Sequence, residues 1–453
     1  THFTYANADA PKGGVLKQAA SGGFATLNPY TIKGKAPQGI NLVTDQLMAR
    51  AWDEPFTMYP LIAQSVDIPD DRSAITFNLN PKARFHDGTP ITADDVLFSY
   101  NTLKEKGRPN QRRIYKLATA TKINDSTIKF QFSEGYDRET ALIFTLMPVL
   151  SKAYWSAREF DKTTLEAPLG SGPYKIASAE PGKRIVYERV PDHWARDLLA
   201  NKGHHNFDKI IYDYYRDDTV AFESFKAGDL NLRREWDAGT WNNSYDFPTL
   251  SDGRVIKENI KHGRPDKVRG FIFNTRRAPF DDIRVRQALN LVFDFDWVNK
   301  NFFYNAYNQI DSFFPNTDLA RVIPAAEPTD LREKRRAASA LLTEAGWIIK
   351  DGKRVNADTL APMQFDIILD NPADEKLALS LIRALQKMGI TANVRVLDSA
   401  AYRGRMNDYD FDMTLSFWNS TLSPGTEQYL YWSCEAAKTP AQWNYAGICD
   451  PEI

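Results

Sequence analysis

Apolar and polar residues alternate along Ala74-Ile-Thr-Phe-Asn-Leu79 and through Ile123–Phe132 around a turn, a period of two that predicts half-buried strands. Gly13–Ala20 reads as another strand and is followed by the polar loop Ser21–Pro29. The first third of the chain therefore predicts short strands and turns.

From about residue 167 the pattern becomes mixed. Gly182–Val190, Lys209–Tyr215, Gly270–Thr275, Gln364–Leu369 and Thr391–Val396 read as strands. Between them lie helical patterns: Asp217–Gly228 with a capping acid and a terminal glycine, amphipathic helices from about Asp282 and about Leu331, and a further helix through Leu385. This alternation predicts an α/β class, with no internal repeat and no low-complexity linker.

Composition narrows the function. A chain of 453 residues suggests two or three domains, and 43% hydrophobic with 25% charged residues is a globular profile. The longest apolar run, Ala141–Leu150, is half a membrane span and contains Pro148. A net charge of −1 without a dominant basic block argues against a nucleic-acid partner. The run Arg332–Arg336 begins a helix whose apolar positions Ala338, Leu341, Leu342 and Ala345 lie together, so it reads as that helix's solvated face. Ten Trp and twenty Tyr suit thick cores or ligand-lined clefts.

The two cysteines, Cys434 and Cys449, cannot form a closed zinc site alone. Their spacing leaves inert thiols and a disulfide both open. The chain begins at Thr1 with neither an initiator Met nor a signal sequence, as a processed or trimmed protein would.

No motif in the sequence carries complete catalytic machinery. Gly34–Gly39 has phosphate-loop glycine spacing but is followed by Ile-Asn, without the lysine and hydroxyl that phosphate and magnesium need. His204 and His205 are adjacent, so they cannot share a helix face as zinc ligands do. Gly170-Ser-Gly172 lacks the spacing of a nucleophile elbow. The acidic doublets Asp94-Asp95, Asp217-Asp218 and Asp281-Asp282 each open an amphipathic stretch, where a carboxylate caps free N–H groups and complements the helix dipole. Around His86 and Asp87, the Asp-Gly turn signal leads into a capping box from Thr92 to Asp95. These acids read as scaffolding, with no catalytic residue, metal or cofactor expected.

The stretch Arg84–Tyr100 resembles the signature of the family 5 extracellular solute-binding proteins, the peptide- and nickel-binding components of ABC importers. Thr26–Pro29, Gly170–Tyr174, Ala221–Leu230, Asn274-Thr275, Asp282–Leu289 and Leu341–Trp347 agree in order, so the resemblance covers nearly the whole chain. Within the family the chain is most similar to the YejA-like branch, on Asp9–Gly14, Asn206–Asp208, Asp213–Glu223, Phe293–Trp297 and Phe303–Ala306. That branch imports oligopeptides and peptide-carried microcin C, and its close relatives bind α-galactosides.

The resemblance implies a two-lobed periplasmic-binding-protein fold of type II, in the large cluster C form, with a β-rich domain inserted in the first lobe. Residues 1–35 and 167–263 would form lobe I, 36–166 the inserted domain, and 264–453 lobe II, starting near Arg264–Gly270. Family chains return to the first lobe beyond Ile453, so the sequence looks C-terminally incomplete. Relatives are also longer before Leu331, so missing residues are expected near Ala320–Leu331.

The implied role is a monomeric periplasmic binder that closes on an oligopeptide or oligosaccharide and presents it to the permease subunits, without turnover. A hydrolase using acids in the same cleft is the alternative from another class. Expected ligand contacts are Phe24, Arg234, Glu235, Trp236, Asp237, Trp241, Asn274, Trp418, Asn419, Ser420 and Glu427, each weighed against a structural cap or core aromatic. Peptide binders of the family place an aspartate in the loop corresponding to Asn419–Gln428, and this sequence has none. Glu427 or another acid would have to hold a peptide's amine, or the ligand has no amine; peptides remain the favoured class. Export also implies that Cys434 and Cys449 are bonded.

Overall fold

The structure is a computed structural model that describes residues 3–450 and 452, apart from 264, 266, 311, 316 and 321–329. Most of the region expected to lack residues relative to the family, Ala320–Leu331, lies outside the described residues, as does Arg264 at the expected lobe boundary.

The chain divides into two compact units, Thr1–Arg234 with Phe247–Lys257, and Glu235–Asp246 with Glu258–Ile453. The chain passes between these units at three places, after Arg234, Asp246 and Lys257. The exchange has a packing cause. Helix Ala238–Asn243 belongs with helix Phe295–Phe303, and the Asn243 amide donates to the Tyr304 hydroxyl at 2.5 Å. Phe247 instead packs edge-on against Phe222 and Phe225 of the first unit.

The first unit holds two four-stranded sheets. One runs Val15–Ser21, Lys209–Tyr215, Arg184–Arg189, Tyr174–Glu180 in spatial order, parallel in the first pair and antiparallel in the rest. Its inward face buries Tyr174, Ile185 and Tyr187 completely. The other sheet is antiparallel throughout, in the order Ala63–Asp67, Ala74–Leu79, Thr127–Phe132, Ala118–Asn124. Alternation works as expected here: Ile75, Phe77, Ile128 and Phe130 are fully buried and face Val96 and Leu103 of helix Ala93–Lys106. The strand read from Ile123 begins earlier, at Ala118, because Ala118–Lys122 continues the ladder against Ile128–Phe132.

The second unit is built on a sheet ordered Val268–Phe273, Met413–Trp418, Gln364–Leu369, Thr391–Val396. The last three strands are parallel and the first runs against them. Helices Ile283–Val292, Leu331–Glu344 and Glu375–Gln386 cover it, burying Val285, Ala288, Leu342 and Leu385 with Ile367. Asp217, Asp282 and Asp330 cap their helices from outside the first turn, and Gly228 closes its helix at φ 89°. The strand expected at Gly270–Thr275 is Val268–Phe273, which leaves Asn274 just beyond its end.

Candidate ligand-binding site

The acids that first suggest catalysis are engaged in structure. Asp87 Oδ1 accepts from the Thr89 N–H at 3.0 Å and its hydroxyl at 2.6 Å, closing the turn. Asp95, 8% exposed, accepts from the Thr92 N–H and hydroxyl at 3.0 Å with one oxygen and from the Lys152 N–H at 2.9 Å with the other. Asp94 pairs with Lys122 at 2.6 Å, and that hydrogen bond holds its carboxyl below the usual range. Asp217 and Asp282 are held low as well, first by the Thr219 N–H and by the Arg284 guanidinium respectively. Asp94, Asp217 and Asp282 therefore stay ionised at neutral pH, which suits capping rather than proton donation.

His86 Nε2 meets the Gly172 carbonyl at 2.8 Å, and the His86 main-chain N–H donates to the Gly170 carbonyl at 2.8 Å. The same turn brings Ser171, Asp45 and His193 together, the ingredients of a hydrolytic triad. The geometry is wrong for one. His193 Nε2 lies 3.0 Å from Asp45 Oδ2 and 3.0 Å from the Ser171 carbonyl, while the Ser171 hydroxyl accepts from the Asp45 N–H. Among the described residues no base touches the hydroxyl, and all three residues are buried. Gly170 and Gly172 are required by contact: a β-carbon would stand 2.0 Å from the Val43 carbonyl at the first and 2.4 Å from the Leu42 carbonyl at the second.

Two groups of expected ligand contacts do come together in the second unit. Trp418 ends its strand, at the carboxyl edge where three strands run parallel, the usual ligand side of such sheets. Its ring is 5.0 Å from Trp432 and 5.9 Å from Phe313, and Trp432 and Phe313 are 4.6 Å apart. Tyr431 continues the cluster to Trp443, which is 47% exposed. Polar groups border it. The Ser420 hydroxyl donates to the Phe313 carbonyl at 3.1 Å, and Gln428 links the Trp432 N–H to Glu427 at 2.9 and 3.2 Å. Both Glu427 oxygens also accept the Gly425 N–H at 3.2 Å. Asn419 is exposed beside them.

The second group lies on Glu235–Tyr245. Glu235 accepts the N–H groups of Trp236 and Asp237 at 3.0 Å, and Trp241 packs on Tyr245 at 5.5 Å. Asp237 caps its helix through the Thr240 N–H at 2.7 Å, which keeps its carboxyl low. Trp236 is 80% exposed, an apolar surface with little to cover it among the described residues.

Three expected contacts sit elsewhere. Phe24 is core, 5% exposed and packed on Tyr214. Asn274 is fully buried, donating to the Tyr409 and Phe411 carbonyls at 2.9 and 2.7 Å. Arg234 is exposed in the first unit. Sequence reasoning missed Phe313, Gln428, Tyr431, Trp432 and Trp443, although the aromatic density of Tyr429-Leu-Tyr-Trp432 was a readable signal.

Cys434 and Cys449 are bonded. The loop they close wraps the Arg276 guanidinium, which donates to Ala437, Asn444 and Tyr445 carbonyls and stacks on Tyr409.

Residues 57–440 match the family of bacterial extracellular solute-binding proteins, family 5, middle region. The chain belongs to this family. The peptidoglycan-binding protein YepA of Agrobacterium fabrum is 36% identical over all of this chain and 81% of its own length. A second protein of that organism, named "Probable peptide-binding protein YejA", is 34% identical, covering all of this chain and 80% of its own. A mannohexaose-bound periplasmic oligopeptide-binding protein from Thermotoga maritima shares the fold at a TM-score of 0.63 and 19% identity, across 98% of this chain and 84% of that one. Among the described residues, no helix of this family 5 chain is long and apolar enough to cross a membrane, and no group of three or more His, Cys, Asp or Glu residues could hold a metal ion.

Proposed function

We propose that this chain is the solute-capturing component of an ABC importer, working as a periplasmic monomer that binds oligopeptides and hands them to a membrane permease. Peptide-conjugated compounds of the microcin C kind fall within the same class. The observation that carries the reading is the aromatic cluster of Trp418, Trp432, Phe313 and Trp443 at the carboxyl edge of a parallel sheet, bordered by Ser420, Gln428 and Glu427. Apolar faces with a few oriented polar groups suit a solute that is desolvated and released unchanged. The YejA relative's peptide-binding name points the same way. Residues 36–166 are proposed as the inserted domain, on the strength of their own antiparallel sheet and core.

Oligosaccharides are the second reading, because indole faces also stack on sugar rings and the loop Asn419–Gln428 offers mainly neutral groups. The mannohexaose carried by the Thermotoga protein is a precedent within the fold. Native mass spectrometry of protein carried gently through purification tests the choice. A retained peptide supports the proposal and a retained α-galactoside overturns it. Incubation with both ligand classes tests the hydrolase alternative, since turnover would sink the binder reading.

A further inference from the structure

The connection between helix Ala93–Lys106 and strand Ala118–Asn124 carries charge of one sign. From Lys104 to Lys116 the sequence has six cations and one acid, Glu105. A short helix, Pro109–Tyr115, stands there, fixed to the core by Tyr115, which is 5% exposed and packs edge-on against Phe144 at 5.3 Å. The Arg112 N–H donates to the Arg108 carbonyl at 2.9 Å, and the Lys116 N–H to the Arg112 carbonyl at 3.2 Å. Arg108, Arg112 and Lys116 therefore follow one another a turn apart along one side of the helix. Arg108, Arg113 and Lys116 are exposed and Arg112 is half-buried.

This stack works against the helix that carries it. Like charges one turn apart repel, and a cation at the N-cap with no acid in the first turn opposes the helix dipole. Among the described residues, none of Arg108, Arg112, Arg113 and Lys116 lies within ion-pair distance of an acid, and their side chains donate no hydrogen bond. The other cations nearby are occupied: Lys104 donates to the Tyr100 hydroxyl at 2.8 Å, and Lys106 stands 4.0 Å from Asp161. A face built to dock a protein would add apolar anchors, yet among the described residues no large hydrophobic side chain between Ile68 and Ile123 is exposed. Unpaired cations without apolar surface suit a diffuse anionic surface, where each one near the headgroups adds to the attraction.

We propose that Arg108, Arg112, Arg113 and Lys116 form a membrane-facing patch that holds this chain weakly against an anionic lipid bilayer. The proposal goes beyond the solute reading and holds whichever solute is carried. With a net charge of −1, the chain as a whole has no attraction for such a surface, so the local stack must supply it.

The test is co-sedimentation of the whole chain with vesicles of phosphatidylcholine, alone or with about a third phosphatidylglycerol. At low salt wild type is expected to favour the anionic vesicles by about tenfold, and a Debye length shortened by about 0.3 M salt should erase the preference. Combined Arg108→Gln, Arg112→Gln and Lys116→Gln should bring binding down to the phosphatidylcholine level. The urea midpoint of that variant should be unchanged or raised, because repulsion within the helix is relieved. Combined Arg332→Gln, Lys334→Gln and Arg336→Gln removes the same number of cations from another helix and should leave vesicle binding as it was. Equal binding to both vesicle types, an undiminished preference in the first variant, or an equal loss in the second overturns the patch. Capture by immobilised poly-glutamate with no vesicle binding also overturns it, and assigns the face to an acidic protein instead.

Discussion

The indole N–H of Trp418 donates to the main-chain carbonyl of Trp443 at 3.1 Å, tying the end of a sheet strand to the loop closed by the disulfide. An exposed aromatic is thereby held at a fixed place next to a buried one. Trp418→Phe keeps a ring but removes the donor, leaving a carbonyl without its partner. Ligand affinity should fall about fivefold to tenfold, and stability by about 1–2 kcal/mol. Calorimetric titration and urea unfolding of the same sample separate the two. Unchanged affinity would place the cluster outside the binding site.

Asp95 provides the opposite control. Its two oxygens join the start of one helix to the N–H of Lys152 at the start of another. Asp95→Ala should cost about 2–3 kcal/mol of stability, as loss of a cap and of a buried acceptor together. Ligand affinity, measured where the variant is folded, should stay at the wild-type value. A selective loss of binding without destabilisation would revive a functional role for these acids.

Much of this was legible from the chain, and the reasons differ by level. Alternation at Ala74–Leu79 and the acid–glycine punctuation of Asp217–Gly228 are local, so the corresponding strand and helix appear with their expected caps. The three acidic doublets were readable for the same reason, since a cap is satisfied within a few residues. Arg354 was not readable. It is 2% exposed without a carboxylate partner among the described residues, donating instead to the carbonyls of Trp347 and Met388 and the Ser339 hydroxyl. Those carbonyls follow the ends of two helices, where the dipole is negative, and only tertiary structure brings them to one guanidinium. The aromatic cluster was half-readable: Trp418 could be chosen from its strand end, but Phe313 lies far away in sequence. Asn274 misled because a polar residue at a strand end can serve a ligand or its own backbone with equal local signal.

Histidine burial sets a pH dependence. His205 sits at φ 56° with Nε2 3.1 Å from the Asn201 side chain, and burial pushes its pKa down to about 3. His86 and His204 are lowered too, chiefly by burial. Between the unfolded value near 6.5 and the folded value near 3, the unfolded chain binds more protons, so stability falls as pH drops through that window. At pH 5 the His205 share should be about 1–2 kcal/mol. Urea midpoints at pH 7.5 and 5.0 read the loss, and His205→Asn, which tolerates the positive φ without titrating, should lose less than wild type. An identical pH response in the variant would remove His205 from the account.

The loop between Cys434 and Cys449 carries two independent clamps besides its disulfide. Asn444 is fully buried and saturated: its amide donates to Ser433 and Ile448 at 3.0 and 2.8 Å, and its oxygen accepts from the N–H groups of Gly447 and Ile448 at 3.0 Å. Arg276 fills the loop from the other side, so close that a β-carbon on Gly447 would stand 2.6 Å from its Nη1. Removing the bridge chiefly frees the unfolded chain, a cost of about 3 kcal/mol for a loop of this size. Asn444→Ala instead leaves buried donors and acceptors unpaired in the folded state. Reduction, or paired Cys→Ser substitution, should therefore lower the unfolding midpoint while leaving ligand affinity and the tryptophan fluorescence of the folded protein unchanged. Asn444→Ala, with the bridge intact, should shift that fluorescence and weaken binding, because Trp443 is its neighbour and the anchor of Trp418. The reverse outcome, with binding lost on reduction and preserved in Asn444→Ala, would make the disulfide rather than the hydrogen bonds the element that orders the aromatic cluster.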